Sequence, residues 1–181
     1  MPVDGALHKA AANGEDVNVD DLIQDGEDVN AKGARDRTPL HRAVGGGHLK
    51  CATILIENGA DVTAQDSSGR QPIHWAAIGG HTPCLSYLLD QEAVDVSATT
   101  KSGMTALHGA AGSNKLECIL LLLERGADPA ALDGEGKTAF EVSKEAGFKP
   151  PKELRSGKGG GSGGGGGRNP FGCCVSTSST T

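Results

Sequence analysis

The chain has 181 residues, of which 36% are hydrophobic and 3% aromatic, and its net charge is −6. This is the size of one domain, and the longest apolar run, Cys118–Leu123, is too short to cross a membrane as a helix. The first repeated segment lies too near Met1 to leave room for a signal peptide. We therefore expect an intracellular protein, in the cytoplasm or alternatively in the nucleus.

One short segment recurs along the chain at a nearly constant interval. It reads GALHKAA, TPLHRAV, QPIHWAA and TALHGAA, with its histidine at His8, His41, His74 and His108. The intervals between these histidines are 33, 33 and 34 residues. A fifth start follows at Thr138, with Glu141 where the histidine would stand. A fixed period of this length predicts stacked structural units.

The second unit shows what each unit should form. Thr38 and Pro39 are typical of a helix start, because threonine caps free backbone N–H groups and proline suits the first turn. A second apolar helix begins at Leu49 and reaches Gly59, a natural left-handed stop. The polar stretch 60–70 then contains turn-forming residues. The pattern predicts two helices followed by a polar loop, or finger.

These segments resemble the ankyrin repeat, whose unit of about 33 residues opens with T-P-L-H-x-A-A and closes with G-A-D. The resemblance covers about residues 4–148 and includes the leucine-type pairs Leu22-Ile23, Leu55-Ile56, Leu88-Leu89 and Leu122-Leu123. It implies an all-α repeat solenoid, a helix-turn-helix-finger array over residues 4–149. The expected units are 4–36, 37–69, 70–103 and 104–136, with a degenerate cap at 137–149.

Residues 150–181 have a different composition. Most of 156–167 is Gly, Ser and Lys, which is typical of a flexible, disordered linker. Cys173 and Cys174 follow near two apolar residues, so they are candidates for S-acylation. The alternative is a terminal segment with no particular role. Only lipidation there would bring the protein to a membrane.

Catalytic and metal-binding patterns are weak. The run GKGGGSGGGGG fits a phosphate-loop pattern, but no strand precedes it and no helix follows. His48 with Cys51, and His81 with Cys84, lie three residues apart, but two ligands fall short of a zinc site. The ankyrin resemblance implies instead that the repeated histidines hydrogen-bond the opening threonine and the neighbouring finger. We expect no enzyme, no metal and no cofactor.

By resemblance, the fingers and the first helices line a concave surface on which partner proteins dock. The residues that follow the four histidines are Lys9, Arg42, Trp75 and Gly109. Trp75 is the only tryptophan, and Ile78 lies on the same helix face. Large aromatic residues often dominate binding energy, so Trp75 is a candidate anchor for a partner. Alternatively, Trp75 packs on a neighbouring finger.

The candidate partner-binding residues are largely basic. They are Lys9, Arg35, Arg37, Arg42, Arg70, Trp75, Ile78 and Lys101. The charged residues from 156 onward are only Lys158 and Arg168, so residues 1–155 carry −8. A basic groove on an acidic body favours an acidic protein partner over nucleic acid, unless these charges are merely solvated. We expect a monomeric adaptor or regulatory inhibitor; the alternative is a membrane-associated scaffold anchored through Cys173 and Cys174.

Two departures from the repeat pattern stand out, and one retained residue is a candidate for modification. Gly33 and Asp36 occupy the finger positions where Asp and Gly are usual. The third finger, which begins in DQEAVDV, has one extra residue and should therefore sit differently. Asn30 keeps an asparagine that some ankyrin proteins hydroxylate, so it is a candidate for hydroxylation and otherwise a turn residue.

Overall fold

A computed structural model describes residues 3–157, and these residues form an all-helical array. Its helices are α1 (Ala6–Asn13), α2 (Asp16–Gln24), α3 (Pro39–Gly46), α4 (Leu49–Glu57), α5 (Pro72–Gly79), α6 (Thr82–Leu89), α7 (Ala106–Gly112), α8 (Leu116–Glu124) and α9 (Ala139–Glu145). Short 3-10 turns occur at Ala34–Asp36 and Lys152–Gly157. The described part contains no strand, and the predicted all-α repeat fold is confirmed. None of its helices is long and apolar enough to span a membrane.

Helices of alternate number form two layers. The inner helices α1, α3, α5, α7 and α9 pack on one another in order, and the outer helices α2, α4, α6 and α8 pack behind them. Buried alanines such as Ala43, Ala76 and Ala110 line the inner layer, where small side chains let neighbouring helices approach closely. Leucines such as Leu55 and Leu88 seal the outer layer. Each unit therefore buries its apolar face only against its neighbours, as in other solenoids.

A buried histidine caps the first turn of α3, α5 and α7. In α3 the Nδ1 atom of His41 accepts from the Thr38 backbone N–H at 3.1 Å and from its hydroxyl at 2.9 Å. The Nε2–H of His41 donates to the carbonyl of Arg70 in the next finger, at 3.0 Å. One ring thus caps a helix and also holds the finger that follows.

A similar arrangement recurs in the third and fourth units. His74 and His108 donate from Nε2 to the carbonyls of Ala98 and Lys137, at 3.1 and 3.0 Å. In the last unit the carboxylate of Glu141 accepts from the Thr138 N–H at 2.9 Å, so it replaces only the capping half of the arrangement. The expected hydrogen bonds to both the opening threonine and the next finger are confirmed for His41 and His108. His74 accepts from the backbone N–H of Gln71 instead, at 3.2 Å, and His8 contacts the finger carbonyls of Ala31 and Arg37, both at 3.0 Å.

Successive fingers are joined at their tips by backbone hydrogen bonds. The backbone N–H of Ser67 donates to the carbonyl of Arg35 at 2.9 Å. In the same way, the N–H of Lys101 donates to the carbonyl of Ser68 at 3.1 Å, and the N–H of Gly134 donates to the carbonyl of Ser102 at 2.8 Å. The third finger therefore keeps the register of the others at its tip, and the expectation that it sits differently is wrong there. Its extra residue is accommodated earlier, in the loop where Val94 N–H donates to Gln91.

The folded part extends past the boundary expected at residue 149. The turn Lys152–Gly157 packs on α9, and the Leu154 side chain is 1% exposed. A groove of about 530 Å³ lies beside it, lined by residues that include Leu132, Phe140 and Arg155. No outer helix follows α9 in the described residues, so this turn covers part of a helix that another unit would otherwise bury. Cys173, Cys174 and most of the predicted tail lie outside the described residues.

We expect Leu154→Ala to lower the free energy of unfolding by about 2–4 kcal/mol, because it removes a fully buried leucine side chain. Urea unfolding followed by circular dichroism would measure the change. Lys152→Ala, in an exposed position of the same turn, is the matched control and should change stability by less than about 0.5 kcal/mol. Equal stability of Leu154→Ala and the wild type would show that the turn does not pack in solution.

Acidification should destabilise the array before the carboxylates titrate. Burial lowers the pKa of His41 and of His74 below the ordinary value of about 6.5. As the pH falls below 6.5, the unfolded chain takes up protons that the folded chain excludes, so the free energy of unfolding decreases. The slope is at most about 1.4 kcal/mol per pH unit for each histidine.

Thermal unfolding at constant ionic strength between pH 7.5 and 5 would test this expectation. The double variant His41→Gln/His74→Gln should be less stable at pH 7.5 and should lose less of its stability on acidification. A wild-type midpoint that stays constant over this range would contradict the assignment.

Candidate protein-binding surface

The inner surface is defined here as the exposed side of α1, α3 and α5 together with the fingers at residues 31–37, 64–70 and 98–104. Five of the residues predicted from sequence lie where the first two fingers meet these helices: Arg35, Arg37, Arg42, Arg70 and Trp75. Lys9 lies on α1. Lys101 lies in the third finger, where its Nζ donates to the Ser67 carbonyl at 2.8 Å. Ile78 lies one turn along α5 from Trp75.

Trp75 is half-buried and makes contacts with both neighbouring fingers. Its indole N–H donates to the Asp66 carboxylate at 3.1 Å. The guanidinium carbon of Arg37 lies 3.9 Å from the ring centroid, and that of Arg70 lies 5.4 Å from it. The alternative prediction, that Trp75 packs on a neighbouring finger, is therefore seen in these contacts, and the residue is only partly buried.

Asp66 organises this region, although the sequence marks it only as a turn residue. The residue is 5% exposed, and one of its carboxylate oxygens accepts from the N–H groups of Ser68 and Arg70, at 2.8 and 3.0 Å. The other oxygen accepts from Trp75 and lies 3.9 Å from Nε of Arg37. Asp133 makes the same two backbone contacts in the fourth finger, and this shared register was the signal in the sequence.

The first finger obtains its carboxylate from a different part of the chain. Gly33 stands where the second finger has Asp66, and the Asp4 carboxylate fills the space that a side chain would occupy there. Asp4 accepts from the Ala34 N–H at 2.9 Å and forms an ion pair with Arg42. Asp36, in the position usually held by glycine, adopts a positive φ of 56°. Arg42 is therefore half-buried and paired rather than free for a partner.

The remaining cations differ in how far they are neutralised. Burial lowers the pKa of Arg37, and the nearby Arg42, Arg35 and Arg70 lower it further, against the opposing effect of Asp66. Among residues 3–157, no carboxylate lies within 4.0 Å of the charged nitrogens of Arg35 or Arg70. Lys9 is exposed and also has no ion pair in this range.

The position after each histidine is less free of packing than the sequence suggests. Ile78 lies against the next inner helix, where a Cβ added to Gly109 would come within 2.8 Å of its Cγ1 atom. Gly109 is buried for this reason. On the other side of α5, the ring of Trp75 lies over Gly45, which offers it no side chain.

Asn30 bridges two successive loops. Its amide nitrogen donates to the Gly59 carbonyl at 3.0 Å, and its amide oxygen accepts from the Asp61 N–H at 2.8 Å. The structural turn role is therefore visible in the hydrogen bonds, and hydroxylation at Asn30 stays a prediction.

The His–Cys pairs have other partners. His48 and His81 donate from Nε2 to the carbonyls of Ala12 and Gly45, both at 3.0 Å, and so join neighbouring units. Cys51 and Cys84 are buried, and burial raises the pKa of Cys84 to about 11. Within residues 3–157, no group of three or more His, Cys, Asp or Glu side chains is placed to hold a metal ion.

Comparison with known protein families agrees with the geometry. The model described as "Ankyrin repeats (3 copies)" matches residues 4–66 and 64–133, which is more than half of the chain. A comparison with curated proteins found no significant match. The capped inner helices, the histidine bridges and the stacked fingers, together with this match, show that the chain belongs to the ankyrin repeat family.

Proposed function

We propose that this protein is an adaptor or a regulatory inhibitor that binds a partner protein through its inner surface around Trp75. Ankyrin repeats generally mediate protein–protein interaction. The observation that carries the proposal for this chain is the half-buried indole of Trp75, which is surrounded by arginines at the meeting point of two fingers. Aromatic and arginine side chains in such a setting are typical of binding hot spots.

The charge of this surface supports an acidic partner. Arg35, Arg70 and Lys9 face solvent or are half-buried and have no carboxylate partner in the described residues. The net negative charge of the whole chain disfavours long nucleic acid. We further propose that residues 4–149 with the following turn act as a monomeric, non-catalytic unit in the cytoplasm or the nucleus.

Truncation of Trp75 should weaken partner binding. Trp75→Ala is expected to cost about 2 kcal/mol or more, which is roughly thirtyfold in affinity. A partner isolated on the immobilised full chain and identified by mass spectrometry would be purified, and its dissociation constant measured by calorimetry. Leu120→Ala is the matched control, because it truncates a 36% exposed apolar residue on the outer helix α8.

The stability of each variant must be measured in the same experiment, because Trp75→Ala also removes the contacts with Asp66 and Arg37. If the alanine variant loses helical circular dichroism signal, Trp75→Phe, which retains an aromatic ring, replaces it in the binding measurement. Unchanged affinity of a folded Trp75 variant, or an equal loss in Leu120→Ala, would place the partner site elsewhere.

A further inference from the structure

We propose that the inner surface contains an anion subsite in which Arg35 and Arg70 bind a carboxylate or phosphate group of an acidic peptide segment. In this subsite Trp75 and Arg37 form the platform beside which the anion sits. The inference rests on the proposed function and deepens it by naming the ligand chemistry. It also gives Trp75 a second role, since the indole positions cations rather than acting only as an apolar anchor.

The carboxylates near the four arginines at positions 35, 37, 42 and 70 are too few to neutralise them, and two of these carboxylates already have other hydrogen-bond partners. Asp66 accepts from two backbone N–H groups and from the Trp75 indole. Asp4 accepts from the Ala34 N–H and pairs with Arg42. Asp36 is the third carboxylate of this region, and it forms no ion pair within residues 3–157. The cluster therefore holds more positive charge than its own carboxylates neutralise.

An internal comparison shows that the fourth finger does not share this imbalance. Arg70 and Lys137 occupy the same finger position, since each carbonyl accepts from a repeat histidine. Nζ of Lys137 lies 2.8 Å from Glu135 and 2.6 Å from Glu145. Arg70 has no such partner in the described residues. The cation of the fourth finger is thus neutralised by nearby glutamates, whereas the equivalent cation of the second finger, Arg70, has no carboxylate beside its guanidinium group in the described residues.

Two of the arginines near this finger position, Arg37 and Arg70, lie against the Trp75 ring before any ligand binds. The buried Asp66 fixes Trp75 through the indole N–H, and the ring in turn carries Arg37 at 3.9 Å. Arg70 is within cation–π distance of the same ring, at 5.4 Å. Arginines whose side chains are already ordered lose less conformational entropy on binding, and their planar groups suit carboxylate and phosphate oxygens.

Repulsion at Arg37 favours an anion at this point. Arg42, Arg35 and Arg70 each lower the pKa of Arg37, so these three guanidinium groups lie close enough to disfavour the charge of Arg37. An anion placed between them would relieve this repulsion. The outer helix α2 carries Asp16, Asp20 and Asp21, so the opposite side of the same repeats repels acidic ligands.

The single tryptophan allows a direct test with the full chain. An octaglutamate peptide, a peptide of the same length with four phosphoserines, and an octaglutamine peptide would each be titrated while Trp75 fluorescence is recorded. We expect both acidic peptides to change the emission and to bind more weakly as salt is raised, and octaglutamine to have no effect. The ratio of the two acidic affinities distinguishes carboxylate from phosphate as the preferred group.

Variants locate the subsite. Arg70→Gln and Arg35→Gln should each weaken octaglutamate binding about tenfold, because each removes a charge-assisted contact. Lys137→Gln, which removes the equivalent cation of the fourth finger, should leave the affinity unchanged. Calorimetry gives a second measurement that does not depend on fluorescence, and circular dichroism checks that each variant is folded.

Failure of the inference and failure of the proposed function give different results. Absence of acidic-peptide binding, or an equal loss in Arg70→Gln and Lys137→Gln, would overturn the anion subsite. If a protein partner still loses affinity in the Trp75 variants, the proposed function stands without it. If neither the peptides nor the partner respond to changes on the inner surface, both proposals are overturned.

Discussion

The array depends on one interaction, the pair of hydrogen bonds that a buried imidazole makes at the start of the inner helices α3, α5 and α7. In the second unit Nδ1 of His41 accepts from Thr38, and Nε2–H donates to the Arg70 carbonyl, with the ring 2% exposed. A buried ring of this kind must be neutral and must keep one tautomer to satisfy both sides. Because the first side caps a helix and the second holds the following finger, the interaction makes the helix and the finger one unit.

This constraint leads directly to the candidate binding surface. A finger held by a histidine places its tip against the preceding finger, where the Ser67 N–H donates to the Arg35 carbonyl. The buried Asp66 then completes the turn and orients Trp75. In the first finger Asp4 provides a carboxylate from another part of the chain. The turn thus requires an acceptor at this point in space, and the chain position that supplies it can change.

Much of the fold could be predicted from the sequence because its determinants are local. The period of the histidines, the Thr-Pro helix starts and the glycine stops are all set by residues within one unit. Two features could not be predicted: the packing of Leu154, and the position of the Asp4 carboxylate in the space beside Gly33. Each brings together segments that are distant in the sequence, whereas the repeat pattern describes residues within one unit. Asp4 and Ala34, for example, are 30 residues apart.

The candidate site was predicted in composition but not in arrangement. Alignment of the units selected Trp75 and Arg42, which follow repeat histidines, and the charge pattern of the fingers selected Arg35, Arg37 and Arg70. It could not show that Arg42 is paired with Asp4 or that Ile78 rests on Gly109, since both depend on contacts between neighbouring units. Burial and ion pairing separate residues that frame the surface from residues that are free to recognise a ligand.

In some residues the backbone stabilises the fold while the side chain is left without a charged partner. The carbonyl of Arg70 accepts from His41 and its N–H donates to Asp66, so the backbone of this residue belongs to the fold. Its side chain has the Trp75 ring beside it and no carboxylate partner in the described residues. Arg35 is similar, since its carbonyl accepts from Ser67 and its side chain is exposed. Because backbone groups hold the fingers, side chains at these positions can differ between units without loss of the array. A repeat scaffold of this kind can therefore carry a charge cluster in one finger and a neutralised cation in another.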